Sequence, residues 1–232
     1  MTEVERQALW LSFQVASAAT LLALPLALAL AFALGRGRWP GKALVEVVVN
    51  LPLVLPPVVI GYALLISFGR QGWLGRWLYE VLGISFVFSF RGAVLAAAVM
   101  ALPLMVRALR QSIEAIDRGL EAAARSLGAS RLDALFSVTL PLAAPGLLSA
   151  VVLGFAASLG EFGATITFVS NVPGQTQTLP LAIYSALQSP DGEALALRLV
   201  LYSALLAFAA LGFAQWSHRR LQRWLGQDGT GA

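Results

Sequence analysis

The sequence has 232 residues, of which 58% are hydrophobic and 12% are charged, and its formal net charge is +4. The charged share is about half that of an ordinary soluble domain, and a soluble protein of this length could not bury so much apolar surface in one core. With no cysteine and a single histidine, His218, the chain excludes disulfides, thiolate chemistry and a histidine metal cluster. Its basic residues flank apolar segments, which indicates membrane topology signals and not a nucleic-acid surface.

Several apolar stretches are long enough to cross the hydrocarbon layer, which requires about 20 helical residues. We therefore expect an all-α, polytopic membrane protein in which one domain covers the whole chain. The first stretch follows the acidic residues Glu3 and Glu5 and is too long for the apolar core of a signal peptide, so we expect it to remain as an anchor. The five predicted spans cover residues 8–34, 47–69, 90–108, 143–168 and 196–216.

An odd number of spans places the two termini on opposite sides of the membrane. The segments 36–42, 107–131 and 219–223 all fall on one side and together hold eleven lysines and arginines, against five on the other side. Because cytoplasmic loops are enriched in these residues, we expect the N-terminus outside and the C-terminus in the cytoplasm.

The second predicted span contains three prolines, Pro52, Pro56 and Pro57. Each proline removes an amide donor and clashes with the preceding helical turn. Irregular backbone at membrane depth is tolerated only against protein or beside a water-filled cavity. Two interpretations stay open: a kink in a packed helix, or a bend that lines a path.

The most polar part of the chain lies between the third and fourth predicted spans, in a loop over residues 109–141. Its apolar residues recur at helical spacing and predict one apolar helix face; they are Ile113, Ile116, Leu120, Ala124 and Leu127. Gly128 is expected to end this helix, and Ser130 with Asp133 is typical of a capping box that opens a second one. Pro141 is expected to close the second helix. The pattern predicts two short helices that meet at an angle at the cytoplasmic surface.

This loop resembles the Glu-Ala-Ala loop of binding-protein-dependent ABC importer permeases. The family pattern is Glu-Ala-Ala, three residues, Gly, nine residues and Ile-x-Leu-Pro, and the sequence Ala-Ala-Arg-Ser-Leu-Gly over 123–128 and Val-Thr-Leu-Pro over 138–141 keep both spacings. The Glu position of the pattern is occupied by alanine, and a glutamate stands just before it. The resemblance implies that the loop docks into a separate ATP-hydrolysing subunit; the alternative is an amphipathic helix on lipid headgroups. The implied docking residues are Glu121, Ala122, Ala123, Ala124, Gly128, Ala129, Leu140 and Pro141.

Three further stretches, residues 50–62, 160–165 and 171–184, resemble molybdate importer permeases, and the similarity runs from about residue 8 to residue 217. It implies a homodimer of permease subunits in the lipid bilayer, a cytoplasmic ATP-binding subunit, an extracytoplasmic molybdate-binding protein, and no cofactor. Permeases for sulfate and tungstate are the nearest alternatives within the family.

A path for an oxyanion should offer hydroxyl and amide donors without a tight cage, although each such side chain could equally cap or back-bond a helix. Glu161 is the only charge between Asp133 and Asp191. A charge at mid-membrane costs ~2.5–3.5 kcal/mol, so we expect Glu161 to form a structural or gating ion pair near the outer end of the fourth span. An arginine is one candidate partner, and the sequence leaves the partner open. The candidate pathway and gating residues are Asn50, Pro56, Pro57, Ser158, Glu161, Thr165 and Thr167.

The sequence shows no catalytic set and no metal-binding cluster. The glycine- and lysine-containing segment 35–43 lacks the spacing of a phosphate-binding loop, so ATP hydrolysis is expected on a separate subunit. A membrane enzyme would need paired histidines or carboxylates, and an ion-coupled transporter would need intramembrane carboxylates, of which only Glu161 is available. We therefore expect a transport subunit that is not itself an enzyme.

Overall fold

The computed structural model describes residues 1–37 and 39–224, and within these ranges the regular structure is helical, with no strand. Helices α1, α5, α9 and α12 are the long ones, and the shorter helices are arranged in pairs and loops between them. In chain order the helices are α1 (Glu3–Arg36), α2 (Lys42–Val54), α3 (Pro57–Phe68), α4 (Trp73–Leu82), α5 (Phe90–Ala115), α6 (Arg118–Ser126), α7 (Arg131–Ala134), α8 (Leu140–Leu142), α9 (Ala144–Leu159), α10 (Gly163–Val169), α11 (Leu179–Leu187) and α12 (Glu193–Trp224). A π-helical turn, Leu135–Thr139, joins α7 to α8.

Within the described residues, three helices are long and apolar enough to cross a membrane alone, namely α1, α5 and α12. Two bent pairs raise the number of candidate spans to five: α2 with α3, which meet at 116°, and the helical run 131–142 with α9, which meet at 64°. The predicted all-α, polytopic architecture with about five spans is therefore confirmed.

The second predicted span, residues 47–69, is not one continuous helix. Leu55 and Pro56 both leave the helical conformation, with ψ angles of 144° and 136°, and Pro57 starts α3. A residue that precedes proline is pushed out of the helical region, so two successive prolines produce a complete break instead of a kink. Because α2 has 13 residues and α3 has 12, each is only about 20 Å long and cannot cross ~30 Å of hydrocarbon alone.

The core is the bundle of α1, α5 and α9, in which α1 packs along both of the other helices. The buried face of α1 consists mainly of alanines, including Ala16, Ala19, Ala23, Ala27 and Ala31. Within a bilayer, helices do not associate by the hydrophobic effect, so close packing of small residues becomes the main source of attraction. The alanine face therefore explains why α1 can approach both neighbours.

Two glycines of α9 set its distance from α5. A Cβ atom added at Gly146 would lie 2.2 Å from the Cβ of Ser112, and one added at Gly154 would lie 2.6 Å from the Sδ of Met105. Neither space can hold a side chain without a shift of one helix. The two residues are eight positions apart, which places them on the same face of α9 and makes that face flat.

Helix α12 is attached to the start of α1 by an ion pair. The carboxylate of Glu5 is buried and accepts a hydrogen bond of 2.6 Å from Nε of Arg198. Farther along, α12 exposes large apolar side chains, among them Leu201, Leu205 and Phe208. This exposure is what a helix with one face toward lipid requires.

Substitution of Gly146 by valine should destabilise the bundle, because the new side chain has to enter the space occupied by Ser112. Overpacking of this kind costs about 1–3 kcal/mol, and we expect a lower apparent melting temperature of the detergent-solubilised chain. Gly212→Val is the matched control, since an added Cβ there meets nothing within 4 Å. Equal losses in both variants would contradict the proposed close approach of α5 and α9.

Candidate functional site

The coupling loop, defined here as residues 116–143, connects α5 to α9. Helix α5 ends at Ala115, and Asp117 caps a new helix by accepting a hydrogen bond of 2.8 Å from the amide of Gly119. The predicted apolar face over 113–127 is therefore wrong as a single surface. Ile113 is fully buried inside α5, whereas Leu127 belongs to the far end of α6 and is exposed. A capping aspartate interrupts a periodicity that looks continuous in the sequence.

The end of α6 is a Schellman motif centred on Gly128, as the sequence predicted for this position. Gly128 has φ of +98°, its amide donates to the carbonyl of Arg125 at 3.1 Å, and the amide of Ala129 donates to the carbonyl of Ala124 at 3.1 Å. Glycine adopts this left-handed conformation without steric cost. The chain therefore turns sharply at Gly128 into the second short helix.

The second helix opens with the predicted capping box. The Ser130 hydroxyl accepts from the amide of Asp133 at 3.1 Å, and the Asp133 carboxylate accepts from the Ser130 hydroxyl at 2.6 Å and from its amide at 3.1 Å. These hydrogen bonds hold the pKa of Asp133 below its usual value. The bond from the Ser130 hydroxyl has the larger effect and the bond from the Ser130 amide the smaller one. This local network fixes the start of the second short helix.

Pro141 does not close the second helix, contrary to the prediction. The chain stays helical to Leu142 because the turn before it is π-helical, and the amide of Leu140 bonds to the carbonyl of Leu135, five residues back. This wider turn accommodates a proline ring that would clash with a regular helical turn. The bend before α9 falls after Leu142 instead.

An apolar knob projects from this polar loop. It consists of Leu120, Leu127, Leu132 and Phe136, all exposed, with Leu127 at 89%. Three arginines of the same loop, Arg118, Arg125 and Arg131, are also exposed. Several large apolar side chains exposed on an otherwise charged surface mark an interaction site, so the loop offers an apolar contact surface among charged residues.

The predicted docking residues divide between the surface and the interior of this loop. On the surface are Ala122, Ala123, Gly128 and Pro141, while half-buried positions are Ala124, Ala129, Leu140 and Glu121. The alanines give α6 a low profile on one side, which permits close approach of a partner. Their role in docking remains a prediction.

The carboxylate of Glu121 is directed into its own chain. It accepts a hydrogen bond from the guanidinium of Arg36, at the end of α1, and another from the hydroxyl of Thr139, in the π-helical turn. A second nitrogen of Arg36 donates to the carbonyl of Ile113 at 3.3 Å. The sequence did not reveal these contacts, because Arg36 lies 85 residues away from Glu121 and no local spacing pairs them.

Asn50, predicted to line a path, instead links α2 to α5. Its side-chain oxygen accepts from Nε and Nη2 of Arg107 at 3.0 and 2.8 Å, and its side-chain nitrogen donates to the carbonyl of Glu46 at 2.7 Å. The Glu46 carboxylate in turn accepts from Arg110 at 2.6 Å. These contacts connect α2 to the same end of the bundle as the coupling loop.

The two helix breaks that contain the remaining pathway candidates pack against each other. A Cβ atom added at Gly163 would lie 2.8 Å from Cβ of Pro57, and one added at Gly61 would lie 2.6 Å from the carbonyl oxygen of Ala164. The structure thus brings the break at Pro56–Pro57 together with the break between α9 and α10. Asn50 contacts Arg107 on α5 and does not take part in this junction.

Glu161 is buried at the second break, where it caps α10. Its carboxylate accepts a hydrogen bond of 2.7 Å from the amide of Ala164. Among the side chains that the structure describes, Glu161 makes no ion pair, and a backbone contact takes the place of the expected one. An N-terminal amide stabilises a carboxylate much as a cation does, which explains how the chain tolerates this charge.

The two hydroxyl candidates beside Glu161 are also buried. Thr165 follows it on α10, and Ser158 precedes it on α9, where its hydroxyl has no hydrogen-bond partner among the described residues. Pro56 and Pro57, by contrast, are exposed. Over the same described ranges, no group of three or more His, Asp or Glu side chains is arranged to hold a metal ion.

Comparison with known proteins assigns these features to one family. Residues 23–223 match the family described as "Binding-protein-dependent transport system inner membrane component". The chain is 54% identical over 219 residues to the "Molybdenum transport system permease protein ModB" of Escherichia coli K12, covering 94% of this chain and 96% of that protein. It is 53% identical over 224 residues to the protein of the same name from Haemophilus influenzae, covering 97% and 98% of the two chains.

The solved structures with similar folds point the same way. A chain in the crystal structure of a bacterial ABC transporter that imports the acidic polysaccharide alginate matches with a TM-score of 0.76 and 18% identity, over 95% of this chain and 80% of that chain. At this identity the likeness concerns the fold alone. Taken with the sequence match over residues 23–223, it shows that the chain belongs to the family of multi-pass inner-membrane components of binding-protein-dependent transport systems.

Proposed function

We propose that this chain is the permease subunit of an ATP-driven importer and that its cargo is molybdate. The observation that carries the proposal is 54% identity over 94% of the chain to a molybdenum transport system permease. The identity extends over nearly the whole length of both proteins, so it includes the coupling loop and both helix breaks. The chain forms the path, and ATP is hydrolysed on a separate subunit.

The coupling loop is the docking element for that ATP-binding subunit. Its apolar knob, in which Leu127 is the most exposed residue, suits a helix-in-groove contact. The chain turns sharply at Gly128, next to this leucine. In this assembly two copies of the chain face each other across the path, and an extracytoplasmic binding protein delivers the anion. Closure of the ATP-binding subunits draws the two coupling loops together and reorients the path, and hydrolysis resets it.

The coupling loop faces the cytoplasm in this proposal, with the N-terminus outside. Eleven lysines and arginines lie in the segments assigned to the cytoplasmic side, against five elsewhere. The contact of Arg36 with Glu121 brings two of these segments, 36–42 and 107–131, to the same end of the bundle, and the contact of Arg110 with Glu46 adds the start of α2. That end must also be the side on which ATP is available.

The junction of the two helix breaks is the proposed gate of the path. Irregular backbone at membrane depth is tolerated where it is buried in protein or lines water. Pro57 contacts Gly163 but stays exposed, so in this proposal the first break lines the path. Glu161 would repel a dianion if its charge faced the path. Its carboxylate is instead directed to the amide of Ala164, so it organises the gate without facing the cargo.

Docking can be tested with Leu127→Ser, which removes the most exposed apolar side chain of the knob. Because this side chain is 89% exposed, its loss should leave the fold intact while the co-purification of the ATP-binding subunit falls about tenfold, the effect of ~1.4 kcal/mol. Leu82→Ser in α4, at an equally apolar but distant exposed site, should not change co-purification. Full retention of the partner by Leu127→Ser would contradict the docking assignment.

The orientation can be tested because the chain has no cysteine of its own. A cysteine at Arg118 in α6 should react with a membrane-impermeant maleimide only after spheroplasts are permeabilised. A cysteine at Arg76 in α4 should react in intact spheroplasts. Labelling of Arg118→Cys in intact cells would reverse the proposed topology.

The cargo can be tested by uptake of labelled molybdate into cells that lack their own importer and express this chain with its binding-protein and ATP-binding subunits. We expect accumulation that depends on all three components and is resistant to a large excess of sulfate. Competition by sulfate as effective as that by unlabelled molybdate would favour a related oxyanion as cargo. Uphill accumulation by vesicles that contain only this chain would contradict the ATP-driven mechanism itself.

A further inference from the structure

Three segments that are distant in the sequence meet at the Glu121 carboxylate. The guanidinium of Arg36 reaches it from the end of α1, and the hydroxyl of Thr139 reaches it from the π-helical turn. We infer that Glu121, Arg36 and Thr139 form an internal clamp that joins the coupling loop to α1, and that Glu121 is a positioning residue for transport and not a contact to the ATP-binding subunit. This inference rests on the proposed function.

The burial of the three side chains supports an internal role. Thr139 is fully buried, and only 18% of the Arg36 side chain and 28% of the Glu121 side chain are exposed. A partner subunit that bound the carboxylate of Glu121 would first have to displace both of its present donors. Charge-assisted hydrogen bonds in a partly buried site are roughly twice as strong as neutral ones, so such an exchange is unfavourable.

The packing of α6 shows why the clamp matters. None of its residues is fully buried, and the elements it packs against are α7 and the π-helical turn, both of which lie in its own loop. Without the clamp, α6 would be held mainly by its neighbours in the chain. The ion pair with Arg36 is therefore a direct connection from α6 to α1.

Helix α1 is well placed to receive a displacement from the loop. It packs along α5 and α9, and at its other end Glu5 holds Arg198 of α12. The bond from Glu121 to Thr139 supplies a second connection, through α8 toward α9. A movement of α6 imposed by a partner is thus transmitted to α1 and, through its contacts, to α5, α9 and α12.

The test compares Glu121→Gln with Glu114→Gln in the complete importer. Both changes remove one carboxylate charge near the same end of α5, but Glu114 pairs with Arg110 on its own helix at 2.7 Å. Its ion pair therefore lies within α5, whereas that of Glu121 joins two separate elements. We expect Glu121→Gln to keep assembly and ATP hydrolysis and to lower the amount of anion imported per ATP at least about fivefold, the lower range of site-to-site coupling. Glu114→Gln should import as much anion per ATP hydrolysed as the original protein.

Two further variants separate the clamp from a general loss of stability. Arg36→Gln should lower the same ratio, and the double variant Arg36→Gln with Glu121→Gln should be no worse than either single one, because both remove the same interaction. Thr139→Val should give a smaller decrease, since it leaves the ion pair in place. Additive effects of Arg36→Gln and Glu121→Gln would overturn the clamp.

A distance measurement tests the clamp whatever the cargo is. Spin labels on cysteines at Leu26 in α1 and Arg118 in α6, both exposed, should give a narrow distance distribution that broadens in Glu121→Gln but not in Glu114→Gln, with excess unlabelled chain to exclude distances between copies. An unchanged distribution, an unchanged import ratio, or loss of the ATP-binding subunit from Glu121→Gln would each overturn the inference. Absence of molybdate uptake by the original protein would instead contradict the proposed cargo and leave the distance test valid.

Discussion

The close approach of α5 and α9 at Gly146 is the constraint on which the coupling loop depends. Ser112 lies near the end of α5 and Gly146 near the start of α9, and an added Cβ at the glycine would be 2.2 Å from the serine. The loop between them therefore leaves and enters the bundle at nearly the same point. Because both ends of the coupling loop are fixed in this way, the loop can transmit a displacement to the bundle. A loop whose two ends lay far apart would absorb the displacement by bending.

The second constraint is that helix breaks within a bilayer must not leave backbone groups without partners. At the first break the amide of Leu55 still donates to the carbonyl of Leu51 at 2.9 Å, and at the second the carboxylate of Glu161 serves the amide of Ala164. Because Pro57 packs on Gly163, the two breaks support each other. The two breaks are thus stabilised as a pair, although they are about 100 residues apart in the chain.

Local features of the coupling loop could be predicted from the sequence, and distant contacts could not. Gly128 and the capping box at Ser130 depend on residues within five positions of one another, so their residue types were sufficient. The apolar spacing that includes Ile113 was misleading because the cap at Asp117 divides the segment. For Glu161, the need for a partner followed from the cost of a buried charge, but a backbone amide carries no residue-type signal, so an ion pair was expected in its place.

The charges near the two ends of α1 show how the chain uses its few ionic contacts. Glu5 binds Arg198 near one end, and Arg36 binds Glu121 at the other. Between these pairs the buried face of α1 is mainly alanine, so the helix is closely packed along its length and attached by charge only where the chain leaves the hydrocarbon. A partly buried ion pair adds little net stability, because desolvation offsets its attraction, but it strongly disfavours alternative arrangements that leave either charge unpaired. The two pairs therefore fix the position of α1 relative to the coupling loop and to α12, so a movement of the coupling loop is passed to α1 and not taken up by a change of partners at either end.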